Sequence, residues 1–293
     1  MKLSTKENIY GYIFISPWLI GFTLLSIGPM IMSLLYSFTD YDYFRPLKFI
    51  GLDNYSQIII HDELFHKALS VTLKYVLWYV PLRVGLALIV AVLLNQQIRG
   101  MSFYRTIYYM PSILGSGVAV SVMWRVLLSK DGAFNALLSL IGVEGPNWLA
   151  NPRTAPFAIV LMSCWAFGSA MVIFLAGLKG IPTELYEASS VDGATPIRQF
   201  FSITLPLLSP VIFFNVVMSI INSFQVFTQA FIMTNGGPLN STRFYVLYLY
   251  QNAFQYFRMG YASALAWILF CIIMIFTLLV FRSSAFWVHY QSM

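Results

Sequence analysis

Long apolar runs separated by short polar stretches set the pattern of this chain. The runs cover residues 9–38, 69–94, 104–128, 155–178, 205–233 and 260–281. Each is long enough to cross about 30 Å of hydrocarbon as a helix of about 20 residues. In lipid every backbone amide and carbonyl needs an internal partner, so such runs are helices, and a barrel would show alternating polarity instead. The pattern predicts an all-α, polytopic membrane helical bundle of six transmembrane helices, one domain over residues 1–293. An even number of crossings puts both ends on one side. The loops 95–103 and 179–204 share that side, and 39–68, 129–154 and 234–259 face the other. No internal repeat, low-complexity linker or second soluble domain is visible.

Composition agrees with this reading. The chain is 59% hydrophobic and 10% charged, against roughly 25% charged in a soluble domain. A net charge of +6 would suggest nucleic acid in a soluble protein; here it belongs to membrane topology, and no nucleic-acid module is present. The basic residues divide weakly, with Lys2, Lys6, Arg99, Lys179, Arg198 and Arg282 on the terminal side and Arg45, Lys48, Lys67, Lys130, Arg153, Arg243 and Arg258 opposite. They favour cytosolic termini only through shorter loops. The first run outlasts the 7 to 15 apolar residues of a secretion signal, so it reads as an uncleaved span. Cys164 and Cys271 sit inside apolar runs as small hydrophobes, and His61, His66 and His289 lack metal-ligand spacing. The spans hold no Ser-His or metal constellation for an intramembrane enzyme, so no catalytic or metal-ligating residue is assigned.

Between the fourth and fifth runs lies YEASSVDGATPIRQFFSITLPLLSP, where acids, glycine and proline gather. The preceding TEL and this stretch read as a short amphipathic helix, with Leu185, Ala188 and Val191 at helical spacing beside Glu184 and Glu187. Asp192-Gly193 ends it, because glycine takes the left-handed backbone of a helix stop. Thr195-Pro196 suits a new helix start, and Pro206 opens the fifth span. The prediction is an elbow on the membrane surface that presents one compact face. Glu187, Ala188, Ser189, Gly193, Ile203, Leu205 and Pro206 keep the spacing EAA, three residues, G, nine residues, I-x-LP. That spacing resembles the cytoplasmic coupling loop of ABC importer permeases, with serine standing for the second alanine.

Further segments narrow the resemblance. FIGLDNY at 49–55, YRTIYYMP at 104–111, and TNGGPLNST at 234–242 followed by Tyr248, Tyr250 and Ala253-Phe254 are similar to the carbohydrate-uptake branch, the maltose and glycerol-phosphate permease type. The resemblance implies a MetI-like, type I permease fold with cytoplasmic coupling helices, in a bacterial or archaeal plasma membrane, both termini cytosolic. It implies that Glu184, Glu187, Ala188, Ser189, Asp192, Gly193 and Ala194 dock on a cytosolic ATPase dimer. ATP and Mg would then be bound by that partner. This chain has no phosphate-cradling GxxxxGK[ST] loop, so it is expected to bind no cofactor and to be no enzyme itself.

Polar residues inside spans are costly and normally face a bundle interior or a watery path. At 100° per residue, Asn215, Ser219, Asn222, Val226 and Gln229 fall within about 80° of one another, with Ser223 and Gln225 at the margins. Amides and hydroxyls suit sugar hydroxyls without imposing charge. The stripe serves either a substrate path or helix-to-helix glue. By resemblance, sugar-contact positions of the maltose type fall on Ser219, Asn222, Ser223 and Val226, and on Trp165, Ala166, Phe167 and Ala170 in the fourth span. Asn222 replaces an aromatic residue of that family. Arg83, after Pro81, reads as snorkelling outward or pairing with a partner subunit, with contact to an anionic sugar as the alternative. The loop 235–242 forms tight turns, either touching a binding protein or merely joining two spans.

The expectation is a permease subunit that pairs with a second, similar permease and works with the ATPase dimer, an extracytoplasmic sugar-binding protein, membrane lipid and a sugar or oligosaccharide. The alternatives are an ABC permease for amino acids or peptides, and a secondary transporter. The latter predicts internal repeats and helices broken at mid-membrane.

Overall fold

The apolar runs do become helices, but only three of them as single rods. The computed structural model describes residues 3–289 except Tyr43, Arg45, Gln97 and Ser116, with side chains from Ile9 onward. Lys2 and Arg45, two of the residues in the topology count, lie outside the described residues.

In chain order the helices are α1 (Leu3–Phe22), α2 (Gly28–Ser37), α3 (Asp53–Ser56), α4 (Glu63–Leu94), α5 (Met101–Leu114), α6 (Val118–Leu127), α7 (Ala133–Leu140) and α8 (Ala155–Trp165). They continue with α9 (Gly168–Lys179), α10 (Thr183–Val191), α11 (Pro196–Gln199), α12 (Leu205–Leu207), α13 (Ser209–Phe224), α14 (Thr228–Met233), α15 (Tyr245–Tyr250) and α16 (Met259–Trp287). A wide π-type turn over Thr23–Ile27 joins α1 to α2. Among the described residues the strand-like pairing is one bridge between Thr39 and Phe49.

The helices long and apolar enough to cross a membrane unaided are Ile9–Ser37, Glu63–Leu94 and Met259–Trp287. Three more spans are bent pairs: α5 with α6, α8 with α9 at 47°, and Pro196–Leu207 with α13 at 66°. The sequence predicts unbroken rods over 104–128, 155–178 and 205–233, and the structure corrects all three, the first by ending α5 at Leu114 and starting α6 at Val118. The fourth span breaks at Ala166 and Phe167. The fifth bends at Leu208 and its helix α13 ends at Phe224, with Gln225, Val226 and Phe227 outside any helix before α14.

The chain forms two compact units, Met1–Asp62 with Leu249–Phe270, and Glu63–Tyr248 with Cys271–Met293. In the first, the GLDNY segment is a clasp. The Asn54 side-chain amide donates to Ser37 O (2.9 Å) and Thr39 O (3.0 Å), and the Tyr55 hydroxyl donates to Ser37 Oγ (2.7 Å). The two Asn54 bonds satisfy carbonyls at and just beyond the end of α2. Gly260 meets the same loop, donating from its amide to Tyr41 O (2.9 Å).

In the second unit α4 packs against α8, α9 and α13, α14 packs on α6 and α8, and α5 packs on α9. Ala87 and Ala91 of α4 and Met171 and Phe174 of α9 are fully buried there. Lipid is as apolar as leucine, so close van der Waals contact and hydrogen bonds hold such an interface, and small residues permit both. At Gly168 an added Cβ would lie 2.7 Å from Tyr108 O and 2.8 Å from Ser112 Oγ. At Gly177 it would lie 2.8 Å from Val211 Cγ2 and 2.9 Å from Leu208 Cδ2. Further along, Thr72 Oγ1 accepts from the Tyr245 amide (2.9 Å), tying the start of α15 to α4.

Candidate functional site

Two places concentrate chemistry, and both lie in the second unit. The first is the elbow. Helix α10 covers Thr183–Val191 and stops at Asp192. Gly193 follows at φ +77°, with its amide bonded to Ser190 O (3.0 Å) and the Ala194 amide to Ser189 O (2.9 Å). This is a left-handed helix stop, which glycine adopts without the steric cost a side chain incurs. Thr195 then caps α11, its side chain accepting from the Arg198 amide, with Pro196 in the first turn.

Glu184, Glu187, Ala188, Asp192 and Gly193 are exposed, while Ser189 and Ala194 are half-buried. Apolar Val191 (89% exposed) and Ile197 (73%) crown the same elbow. Ser189 is turned inward. Its hydroxyl donates to Tyr186 O (2.9 Å) and accepts from Gln199 Nε2 (2.9 Å), which also reaches Ser190 Oγ (2.8 Å) and Tyr186 O (3.2 Å). The serine at the second alanine position is thus part of an internal lock between the two arms. Sequence reasoning noted only that serine stands there for the second alanine.

The second place is a cavity of about 340 Å³ at the two helix breaks. Tyr75, Tyr79 and Arg83 of α4 form one wall, Ser163 and Ala166 of the fourth span another, and Asn222 with Gln225 through Gln229 the third. Tyr75 and Tyr79 stack with ring centroids 5.1 Å apart. Arg83 stands 5.8 Å from the Tyr79 ring centre and donates to Ser219 Oγ (3.2 Å) and Ser169 Oγ (3.1 Å). Arg83 is half-buried, held by two serines on α9 and α13.

Of the residues predicted for the path, Ala166, Asn222, Val226 and Gln229 line this cavity, and Ser219 meets it through Arg83. Asn215 and Ser223 are buried and spend their donors on main-chain carbonyls of Val211 (3.0 Å) and Ile220 (2.7 Å). Trp165 packs against Trp124, Phe167 against Tyr108, and Ala170 is buried. The helical wheel puts Gln229 with Asn222, and both do line the cavity, although α13 ends at Phe224 between them. Tyr75 and Tyr79 were missed, although Tyr75, Tyr79 and Arg83 recur every four residues on α4, a visible stripe.

A second cavity, of about 570 Å³, lies where Lys67, Lys74 and Arg153 ring the apolar Trp78 and Phe157. In the loop 234–242, Thr242 Oγ1 donates to Gly237 O (2.6 Å) and pairs with Thr234 Oγ1 (2.7 Å). Asn235, Gly236, Leu239 and Asn240 all have positive φ. It is a closely wound loop with its own internal bonds.

Residues 67–288, which include both the elbow and the cavity, match the family of binding-protein-dependent transport system inner membrane components. The chain belongs to that family. The permease is 51% identical over 290 residues to the probable ABC transporter permease protein YesP of Bacillus subtilis (strain 168), covering 98% of this chain and 94% of that one. It is 32% identical over 278 residues to the arabinooligosaccharides transport system permease protein AraP of Halalkalibacterium halodurans, covering 93% and 87%. Its fold matches that of a chain in the crystal structure of a bacterial alginate ABC transporter in complex with an alginate pentasaccharide-bound periplasmic protein, with a TM-score of 0.81, 24% identity and 96% of each chain covered. The permease is accordingly a multi-pass membrane component of a binding-protein-dependent transport system.

Proposed function

We propose that this permease is one of two transmembrane subunits of an ATP-driven importer for a sugar or oligosaccharide. The observation that carries the reading is the cavity at the broken fourth and fifth spans, walled by amides, hydroxyls and a stacked tyrosine pair. Amides and hydroxyls pair with sugar hydroxyls as both donors and acceptors, and flat rings accept the apolar faces of a pyranose. Relatives named for arabinooligosaccharide, lactose and trehalose/maltose transport support the carbohydrate class.

The remaining parts follow from the same reading. A second, homologous permease completes the path, and an extracytoplasmic binding protein delivers the sugar. The elbow docks in a cleft of a cytosolic ATPase, with Glu187 meeting a basic residue there and Val191 and Ile197 filling apolar space. ATP and Mg stay on that ATPase, and both termini of the permease are cytosolic. Closure of the ATPase pair then draws two elbows together and turns the bundle from inward- to outward-facing.

The test is co-purification with partner subunits, followed by ATPase assays in proteoliposomes with a panel of saccharides and binding protein. Glu187→Ala removes a charge-assisted contact of a kind worth about 1.5–3 kcal/mol, so substrate-stimulated hydrolysis should fall roughly 10- to 100-fold. Normal hydrolysis and uptake by this variant would refute the docking role of the elbow.

A further inference from the structure

Arg83 lies inside a span, where a cation is costly and normally faces a partner charge or a path. Among the described residues no acid pairs with it. After Glu63 there is no aspartate or glutamate up to Lys130, none from Gly145 to Thr183, and none beyond Asp192, so α4 past its first residue, α5, α6, α8, α9, α13 and α14 hold no acid. The guanidinium is held by two neutral serines and a tyrosine face, and its Nε is buried without a hydrogen-bond partner. Two of its five N–H donors are thus bonded to protein. Ser169 and Ser219 accept from it, which leaves their own hydroxyl protons free to donate elsewhere. The result is a fixed, net-positive, donor-rich wall on a cavity otherwise lined by uncharged groups.

We propose that the saccharide taken by this cavity carries a carboxylate, and that Arg83 is the residue that recognises it. The proposal rests on the carbohydrate reading above and deepens it. A planar carboxylate matches the guanidinium fork and brings the negative charge that the membrane interior lacks. The amides of Asn222, Gln225 and Gln229 take the hydroxyls, and Tyr75 and Tyr79 take a ring face. Ser169 and Ser219 are positioning residues, setting the plane in which the fork is offered.

The experiment reconstitutes the full transporter with its binding protein and measures uptake of neutral trisaccharides (maltotriose, arabinotriose), uronate trisaccharides (trigalacturonate, trimannuronate) and the methyl esters of those uronates. The wild type should import a uronate and favour it over its ester. Arg83→Gln should lower uptake of the acid roughly 10- to 100-fold, the worth of a hydrogen bond to a charged group, and should bring the acid-to-ester ratio to unity or below. A purely structural role for Arg83 would lower both forms alike and leave that ratio unchanged. Arg83→Lys keeps the charge without the fork and should retain a preference for the acid; it decides the matter if the glutamine variant does not assemble. The proposal is overturned if the wild type imports a neutral trisaccharide in preference to the uronates, or if Arg83→Gln leaves the acid-to-ester ratio at the wild-type value. Import of no saccharide of any kind would instead bring down the carbohydrate reading, and this proposal with it.

Discussion

Gly193 in the elbow and Gly168 in the bundle are glycines for opposite reasons. Gly193 has φ +77°, and a Cβ built on it would meet nothing within 4 Å. Its requirement is a backbone angle, and the space around it is empty. Gly168 has ordinary helical geometry, but a Cβ there would press on Tyr108 O at 2.7 Å and on Ser112 Oγ at 2.8 Å. Its requirement is contact between α5 and α9. The elbow is held by local bonds and offers its surface outward, whereas the cavity depends on helices that approach until no atom can be added. Substitutions should therefore fail for different reasons in the two places.

The largest effect is expected at Gly168. Gly168→Leu forces α5 off α9 by more than overpacking of about 1–3 kcal/mol tolerates, so the purified transporter should lose its monodisperse elution; retention of a normal profile and melting temperature would break the comparison. At Gly193 the side chain decides the outcome through backbone preference. Gly193→Val should cost about 1–2 kcal/mol or more in the left-handed region and reduce substrate-stimulated ATPase several-fold. Gly193→Asn, which tolerates that region, should stay near wild type, and equal losses for the two would mean that bulk against a partner matters instead. Gly177→Ala should be milder than any change at Gly168, because it meets the ends of the Val211 and Leu208 side chains rather than backbone; about 1 kcal/mol, read as a small drop in melting temperature, is expected. The smallest effect belongs to Gln199→Ala, which opens the lock to Ser189 and Ser190. A loss of about 0.5 kcal/mol should appear as faster amide exchange in α10 and α11 with assembly intact.

These contrasts also explain what the sequence made legible. The elbow was readable residue by residue, since Gly193, Thr195 and Pro196 each act on neighbours a few positions away. The membrane-crossing character of the runs was readable for a similar reason, because it rests on apolar length and composition. The cavity was only half visible. Arg83 is anchored by Ser169 and Ser219, which lie 86 and 136 residues along the chain, and no periodicity on one helix announces such a meeting. The break after Phe224 was also hidden, because Gln225, Val226 and Phe227 include neither glycine nor proline. Helical spacing put Asn215 on the path and Ser223 at its margin, and in the folded unit both are buried and bonded to main-chain carbonyls of their own helix.

The two interrupted spans carry a cost that the bundle must meet. At each interruption amides and carbonyls lose their helical partners beside the cavity, and in a dry hydrocarbon interior every such group would be destabilising by several kcal/mol. The chamber must therefore stay wet between transport events. A wet chamber at membrane depth would pass protons and ions if it opened to both sides, so the barrier against leakage has to be formed by tightly closed apolar layers above or below the place where the sugar rests.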